Sequence, residues 1–197
     1  MSSTLPIHCN DNPRIKPVPP CDIPDDVSTI IDRLPGQGLK GENAPNNVLG
    51  TLVRNHPIAR DFLQYWVTSK NDKQLSYREH EIIILRMGYL YQSNYIWGHH
   101  VKAGKESGLS NEEINALGAT DTAQQPWSPQ ELVLIDATDE AVLHQKISDN
   151  TWNTLVTYFK ETQILELIHI ISQYVLFALV NNTFKVELES SIDGFRV

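Results

Sequence analysis

Apolar residues after position 47 recur every three or four places, and no stretch alternates convincingly at period two. Such spacing stacks side chains along one face of a helix, whereas strands alternate. The pattern predicts helices near residues 48–54, 57–70, 76–91, 93–107, 110–117, 128–145, 148–159 and 161–185. Several starts are marked chemically. Ser76 with Glu79, Ser110 with Glu113, and Ser128 with Glu131 have capping-box spacing. Pro129 follows Ser128 at the first helical position, where a missing N–H costs nothing. Leu109 with Ile114, Trp127 with Leu132, and Ile147 with Trp152 have the spacing of hydrophobic staples. No Asn-Gly or Asp-Gly turn joins two strand-like runs. The expected fold class is all-α.

The pattern weakens toward both ends. Residues 1–23 are rich in Pro, Asn and Asp and read as an irregular arm suited to wrapping a neighbouring subunit. Residues 24–34 read as a short helix starting near Pro24 and Asp25, and residues 35–47 as a loop. The expected organisation is an arm with a short helix over 1–46, a helical domain over 47–189 and a tail over 190–197.

Composition narrows the function classes. The chain has 197 residues, of which 41% are hydrophobic and 20% charged, enough for one domain with a proper core. A formal net charge of −8 without a basic cluster argues against nucleic acid or an anionic membrane as partner. The most apolar run, residues 164–180, contains Glu166, His169, Ser172 and Gln173, which suit a buried helix with one polar stripe better than a membrane span. The two cysteines, Cys9 and Cys21, both lie in the proline-rich leader, so a disulfide framework, a zinc site and thiol catalysis in the main fold are not expected. No signal-peptide pattern opens the chain, and the expected location is cytoplasmic.

Chemistry concentrates in two consecutive helices. In residues 93–107, His100 shares a face with Ile96, Trp97, Ala103 and Gly104, while Lys102, Lys105 and Glu106 fall mostly on the other side. His100 is therefore expected to point inward, and His99 to sit at the edge, one turn from Tyr95. In the preceding helix, Glu81 shares a face with Ile84, Leu85 and Gly88 and stands directly before a run of four apolar residues. A buried carboxylate there needs a partner. If the chain reverses near Gln92, Glu81 and His100 lie roughly 16 and 12 Å from the turn, at ~1.5 Å per residue. A Glu–His bridge across the hairpin would fix the imidazole tautomer and raise its basicity, as a general acid/base requires. The bland alternative is a satisfied core histidine, with Tyr95 and Trp97 as packing and Arg86 balancing Glu81, Glu79 or a helix end. Adjacent His99 and His100 diverge by ~100° on a helix and do not chelate one ion, so no metal site is expected.

These residues resemble the carboxymuconolactone decarboxylase family, within the wider alkyl hydroperoxidase D-like superfamily. The resemblance runs from about residue 45 to 189, through "NNVLGTLVRNHPIARDFLQY", "SYREHEIIILRMGYLYQSNYIWGHHVKAGKESGLSNEEINAL", "WSPQELVLIDATDE" and "QYVLFALVNNTFKVELE". Its most specific part is the order of a helix Glu, a Tyr-x-Trp-Gly step, a His, then Gly-Leu-Ser and an acidic pair. Glu81 falls on the family's helix glutamate and His100 on its histidine, while His99 falls on a variable position. The peroxidase-like branch carries two cysteines where this chain has Ser93 and Ile96, so a thiol peroxidase is not expected. Cysteine-free relatives often carry a Glu at the position of Ile96, and His80 stands where an Arg is common.

The resemblance implies an all-α fold around an antiparallel helical hairpin. It also implies a homo-oligomer, a trimer or a multiple of trimers, acting on a small molecule without metal or organic cofactor. The type reaction is loss of CO2 from 4-carboxymuconolactone. Catalysis would rest on His100 and Glu81, with Tyr95, Ile96, Trp97 and His99 lining the substrate site. Two other readings stay open: an isomerase or cyclase of a specialised metabolic pathway on the same scaffold, which Ile96 motivates, and a non-catalytic binding protein.

Overall fold

The computed structural model describes residues 12–34, 47–120, 122 and 127–195. The expected loop over 35–47 and Cys9 lie almost wholly outside the described residues. The helices are α1 (Asp25–Ile31), α2 (Asn47–Leu52), α3 (His56–Asn71), α4 (Tyr77–Leu90), α5 (Asn94–Glu106), α6 (Asn111–Leu117), α7 (Pro129–His144), α8 (Asp149–Tyr158) and α9 (Glu161–Phe184). A 3-10 turn, Val53–Asn55, links α2 to α3. Among the described residues there is no strand, and the fold is all-α as expected.

The capping boxes read from the sequence form as expected. Ser76, Ser110 and Ser128 each accept from the amide of the glutamate three residues on, and each glutamate accepts in return from the serine amide. Each box satisfies two amides that would otherwise be orphaned at a helix start. The staple expected at α8 is loose, because Trp152 is 45% exposed.

Helix α4 is the centre of the domain. Ile82, Ile83, Ile84, Leu85 and Met87 are all fully buried, because neighbours cover the helix on opposite sides. One side, with Ile83, Ile84 and Met87, joins a core built from α1, α2, α3, α7 and α9. The other, with Ile82 and Leu85, joins a second core with Trp97, Leu117, Trp127 and Ile135. An apolar run with no polar face is what a helix buried on most sides requires.

Helices α4 and α5 make the expected hairpin. Gln92 takes a left-handed conformation (φ 50°) in the turn, and the Ser93 N–H donates to Gly88 O at 2.9 Å. Gly88 lets α5 start close against α4: a Cβ there would lie 3.2 Å from Ile96 Cγ2 and 3.3 Å from Trp97 N.

Over its described part the arm lies on its own chain: the Arg14 N–H donates to Phe184 O and the Val18 N–H to Gly50 O, at 2.8 and 2.9 Å. Gly50 makes room for it, since a Cβ there would come within 2.8 Å of both Pro17 Cβ and Val18 O. Val27, Ile30 and Ile31 of α1 belong to the same core as the helices after residue 47.

Helix α9 is long and apolar enough to cross a membrane by length and composition, and half of that window is buried inside the domain. Its polar stripe is engaged inside the fold: Glu166 meets His80, His169 meets Tyr65, and Gln173 meets Ser69. Beyond α9 the chain turns at Lys185 (φ 53°) and returns across α5, where Phe195 stacks on Trp97 with ring centroids 4.7 Å apart.

Candidate active site

Five helices line a cavity of about 370 Å³, α2 among them through Val48 and Leu49. Helix α3 contributes Trp66 and Lys70, one turn apart, and α4 contributes Tyr77 and Glu81, again one turn apart. Helix α5 contributes Tyr95, Ile96, His99, His100 and Ala103, and α9 contributes Tyr174, Phe177 and Asn181. Residues three, four and seven apart share a helix face, so each helix turns one stripe to the cavity.

The bridge inferred across the hairpin is present. His100 Nδ1 donates to Glu81 Oε2 at 2.7 Å. The Tyr174 hydroxyl lies 3.0 Å from His100 Nε2 and donates to it. Both ring nitrogens are therefore held, and the tautomer carries its proton on Nδ1. The Glu81 side chain is nearly sealed, at 3% exposure, whereas that of His100 is 17% exposed and opens on the cavity.

Burial and charge act in opposition here. Burial works to raise the Glu81 pKa, but His100, by charge and hydrogen bond, and Lys70 bring it below the ordinary value. For His100, burial lowers the pKa, and Glu81 opposes that only in part. The resting pair is thus a carboxylate and a neutral imidazole. The expectation that Glu81 makes His100 more basic holds for the pair contact alone; desolvation outweighs it, because the ring sits between α4, α5 and α9 away from bulk water.

Lys70 reaches the same cavity. Its ammonium stands 5.5 Å from the centre of the Tyr174 ring and, among the described residues, has no carboxylate or hydrogen-bond partner. Burial is the main cause that pushes its pKa down to about 8, with Lys73 acting in the same sense and Glu81 and Glu166 against it. Tyr174 remains a neutral phenol, since burial and the nearby Glu81 charge raise its pKa well above the usual value.

A second carboxylate sits beside His99. Glu189, from the segment after α9, accepts from His99 Nε2 at 2.7 Å, from the Tyr95 hydroxyl at 2.7 Å and from the Asn47 amide at 2.6 Å. Burial raises its pKa, but these three donors outweigh burial and hold it below the ordinary value. The Tyr95 and His99 rings stack with centroids 4.5 Å apart. Among the described residues, no group of three or more His, Cys, Asp or Glu is placed to hold a metal ion.

The carboxymuconolactone decarboxylase family model matches residues 58–139, the stretch that carries both Glu81 and His100. No curated protein sequence matches the chain. Solved structures do. An uncharacterised peroxidase-related protein from Ralstonia eutropha JMP134, described as an alkylhydroperoxidase AhpD core, is 14% identical with a TM-score of 0.75, over 93% of this chain and 95% of that one. A variant of the debrominase Bmp8 in complex with 2,3,4-tribromopyrrole is 13% identical with a TM-score of 0.72, over 91% and 94% of the two chains. A protein of unknown function from Agrobacterium tumefaciens, a putative antioxidant defence protein AhpD, is 19% identical with a TM-score of 0.62, over 70% and 94%. At these identities the likeness is one of fold.

Within the matched stretch, the positions where the peroxidase-like branch carries cysteines have clear physical roles. Ser93 is fully buried and caps α5, accepting from the Ile96 amide at 3.4 Å. Ile96 turns its side chain to the cavity wall and to Gly88. Tyr95, Ile96, His99 and His100 all line the cavity as expected.

Trp97 does not, and that expectation is corrected. Its ring lies in the second core, against Gly118 and Phe195. It stands three residues before His100, a rotation of about 60° short of a full turn. That is enough to carry a side chain to the other flank of α4. Of the three balances expected for Arg86, the helix end is the one found: it donates to Leu117 O and Ala119 O at the end of α6, at 3.1 and 2.6 Å, and pairs with Asp139 through bonds of 2.6 and 2.7 Å rather than with Glu81 or Glu79. Asp139 thus holds Arg86, and its neighbour Glu140 accepts from the Ser148 amide at the start of α8.

Lys70, Tyr174, Asn181 and Glu189 were missed by sequence reasoning. Tyr174 and Asn181 were legible in principle as one stripe with Phe177 on α9. Glu189 carried no signal, because it comes from an irregular segment 90 residues after His99.

Proposed function

We propose that this chain is a cofactor-independent lyase-type enzyme that removes CO2 from a small cyclic carboxylic acid or lactone. The observation that carries this reading is an imidazole held on one nitrogen by an ionised, buried carboxylate while its ring opens on a cavity of small-molecule size. In the reaction the carbon–carboxyl bond breaks and CO2 leaves. The electron pair passes into the conjugated lactone or carbonyl. His100, neutral at rest, takes up a proton from solvent at Nε2 as the substrate anion binds, and the imidazolium so formed delivers that proton to the resulting carbanion. Glu81 stabilises that imidazolium and keeps Nε2 aimed at the substrate. Lys70, lacking a counter-charge, suits a retained anionic group of the substrate. The leaving carboxylate then lies against Ile96, Ala103 and Phe177, where loss of water favours its departure. The substrate's own conjugation accepts the electrons, so the scheme needs neither metal nor organic cofactor.

A cytoplasmic homo-oligomer, a trimer or a multiple of trimers, belongs to the same proposal. It is supported by exposed apolar side chains on the outer faces of α8 and α9: Trp152, Val156, Leu165, Ile168 and Leu179.

The test is CO2 release from 4-carboxymuconolactone and related cyclic acids. His100→Ala is expected to lower turnover by about 10²–10⁴-fold, with helical content and assembly state unchanged. Turnover within a few-fold of the parent protein removes His100 from the mechanism. A variant that loses stability but no turnover supports a non-catalytic pair.

A second reading is an isomerase that moves a proton within such a ring. It is favoured by the neutral resting state of His100, which is that of a base.

A further inference from the structure

The cavity wall contains polar atoms that the proposed proton transfer does not use. Asn181 is 4% exposed, and among the described residues neither its side-chain oxygen nor its side-chain nitrogen has a hydrogen-bond partner. The Trp66 indole N–H is buried and directed toward the Tyr174 hydroxyl. Both residues line the cavity, among Leu34, Val48, Leu49 and Phe177. A buried polar orphan is costly, and folded proteins rarely retain one without a use. An amide at the end of an apolar stripe on α9 is also a poor choice for packing, where Leu would fill the same volume at no such cost.

Asn181 stands seven residues after Tyr174 on α9, which is about 10 Å along the helix at ~1.5 Å per residue. The two residues therefore mark opposite ends of one cavity. The Tyr174 end holds His100, Glu81 and Lys70. At the other end Asn181 offers one donor and one acceptor within one planar group. A carboxylate or a lactone carbonyl only accepts, and would leave Asn181 Oδ1 without a partner. A primary carboxamide, or a hydroxyl, both donates and accepts.

We propose that Asn181 is a specificity residue for a bifunctional substrate, reading a neutral carboxamide-like or hydroxyl group at the end opposite its anionic group. This rests on the cavity being the substrate site, as in the proposed function, but not on which reaction occurs there. The site sorts ligands by an asymmetric rule: a ligand that supplies both hydrogen bonds recovers the cost of two orphans, and an apolar analogue does not.

The experiment uses two unreactive probes of matched shape, 4-carbamoylbenzoate and 4-methylbenzoate, titrated calorimetrically into the full chain. The carbamoyl probe is expected to bind the parent protein at least tenfold more tightly. In Asn181→Leu that preference is expected to vanish while 4-methylbenzoate binds as well or better, and the melting temperature is expected to hold or rise. Lys70→Met is expected to weaken both probes alike. Equal affinities in the parent protein, a preference that survives Asn181→Leu, or no binding of either probe overturns the proposal. A melting temperature of Asn181→Leu well below the parent also overturns it, by showing that the amide has a structural partner. Neither probe undergoes turnover, so a positive result alongside a failed CO2 assay keeps the site and retires the reaction.

Discussion

Two histidine–glutamate pairs in this protein are built from the same helix, α4, and they differ in what surrounds them. His100 meets Glu81 at 2.7 Å, and its second nitrogen meets Tyr174 at the cavity. His80, adjacent in sequence to Glu81, meets Glu166 of α9 at 3.2 Å, and its Nδ1 is buried without a partner. Glu166 spends its other oxygen on the amides of Gln74 and Leu75, each at 2.7 Å, which ties the loop between α3 and α4 to α9. The His80 side chain is 2% exposed and does not line the cavity. A histidine–carboxylate contact is therefore not a catalytic signature by itself. What separates the two is whether a ring nitrogen can reach a substrate and whether the carboxylate is free to serve the imidazole alone.

The largest effects should divide along that line. His100→Ala is expected to cost turnover and little stability, as set out above. Glu166→Ala is expected to do the reverse. It removes the acceptor for two backbone amides and leaves His80 unpaired, so a loss of about 3 kcal/mol is expected, in the range for breaking a buried pair. Urea denaturation gives that number, and turnover per folded molecule should stay within a few-fold. A Glu166 variant that unfolds normally but loses turnover would erase the distinction drawn here.

Sequence spacing was sufficient for the first pair and silent on the second. Glu81 and His100 sit on either side of a short turn, so helical rise alone brings them level. The hairpin, the caps and the buried run of α4 are local facts of the same kind. His80 with Glu166 and His99 with Glu189 join residues 86 and 90 positions apart, and only the packing of α9 and its following segment brings them together. Trp97 shows the limit from the other side: its helix was legible, but the neighbour each flank of α5 would meet was not. The seat of the arm was hidden for a related reason. Its composition predicts irregular backbone, and nothing local says that Gly50 makes room for it on its own chain.

The pH dependence sharpens the comparison further. Burial is the main cause that lowers the pKa of both His80 and His100 on folding. A base whose folded pKa is depressed stabilises the fold above its unfolded pKa of about 6.5, and that contribution is lost as pH falls through that value. Glu81 and Glu166 are also depressed, so their contributions are lost at lower pH still, below the ordinary glutamate range. The melting temperature should fall in two stages on acidification from pH 7.5. Replacing His80 with Asn should flatten the first stage without moving the pH profile of kcat/KM. That profile belongs to His100 and decides between the two reactions. If the imidazolium delivers a proton after CO2 loss, kcat/KM rises as pH falls from 8. If neutral His100 removes a proton, as in an isomerase, it falls over the same range.

Lys70→Met should act on binding more than on chemistry. Lys70 faces the cavity without a counter-charge, so a substrate anion gains its attraction in the ground state and the transition state alike. The expected result is a KM raised by about tenfold with kcat changed by less than threefold, and a weaker salt dependence of kcat/KM. A kcat loss as large as that of His100→Ala would place Lys70 at the reacting atoms instead.

The smallest effect belongs to the third histidine–carboxylate contact. Glu189 joins His99 and Tyr95 to the segment that follows α9, and its side chain is 23% exposed. An ion pair that open to water contributes little, commonly up to about 1 kcal/mol. Glu189→Gln retains a side chain that can still accept from the Tyr95 hydroxyl and the Asn47 amide. Melting should therefore move by only a few degrees, and kcat by less than about threefold. Hydrogen exchange should nonetheless quicken over residues 186–195, because one of their ties to α5 is weakened. If Glu189→Gln instead abolishes turnover while His80→Asn does not, the functional class must be widened. It would then take in every histidine–carboxylate contact on the cavity wall, and exposure of the ring would matter more than possession of the Glu81 carboxylate.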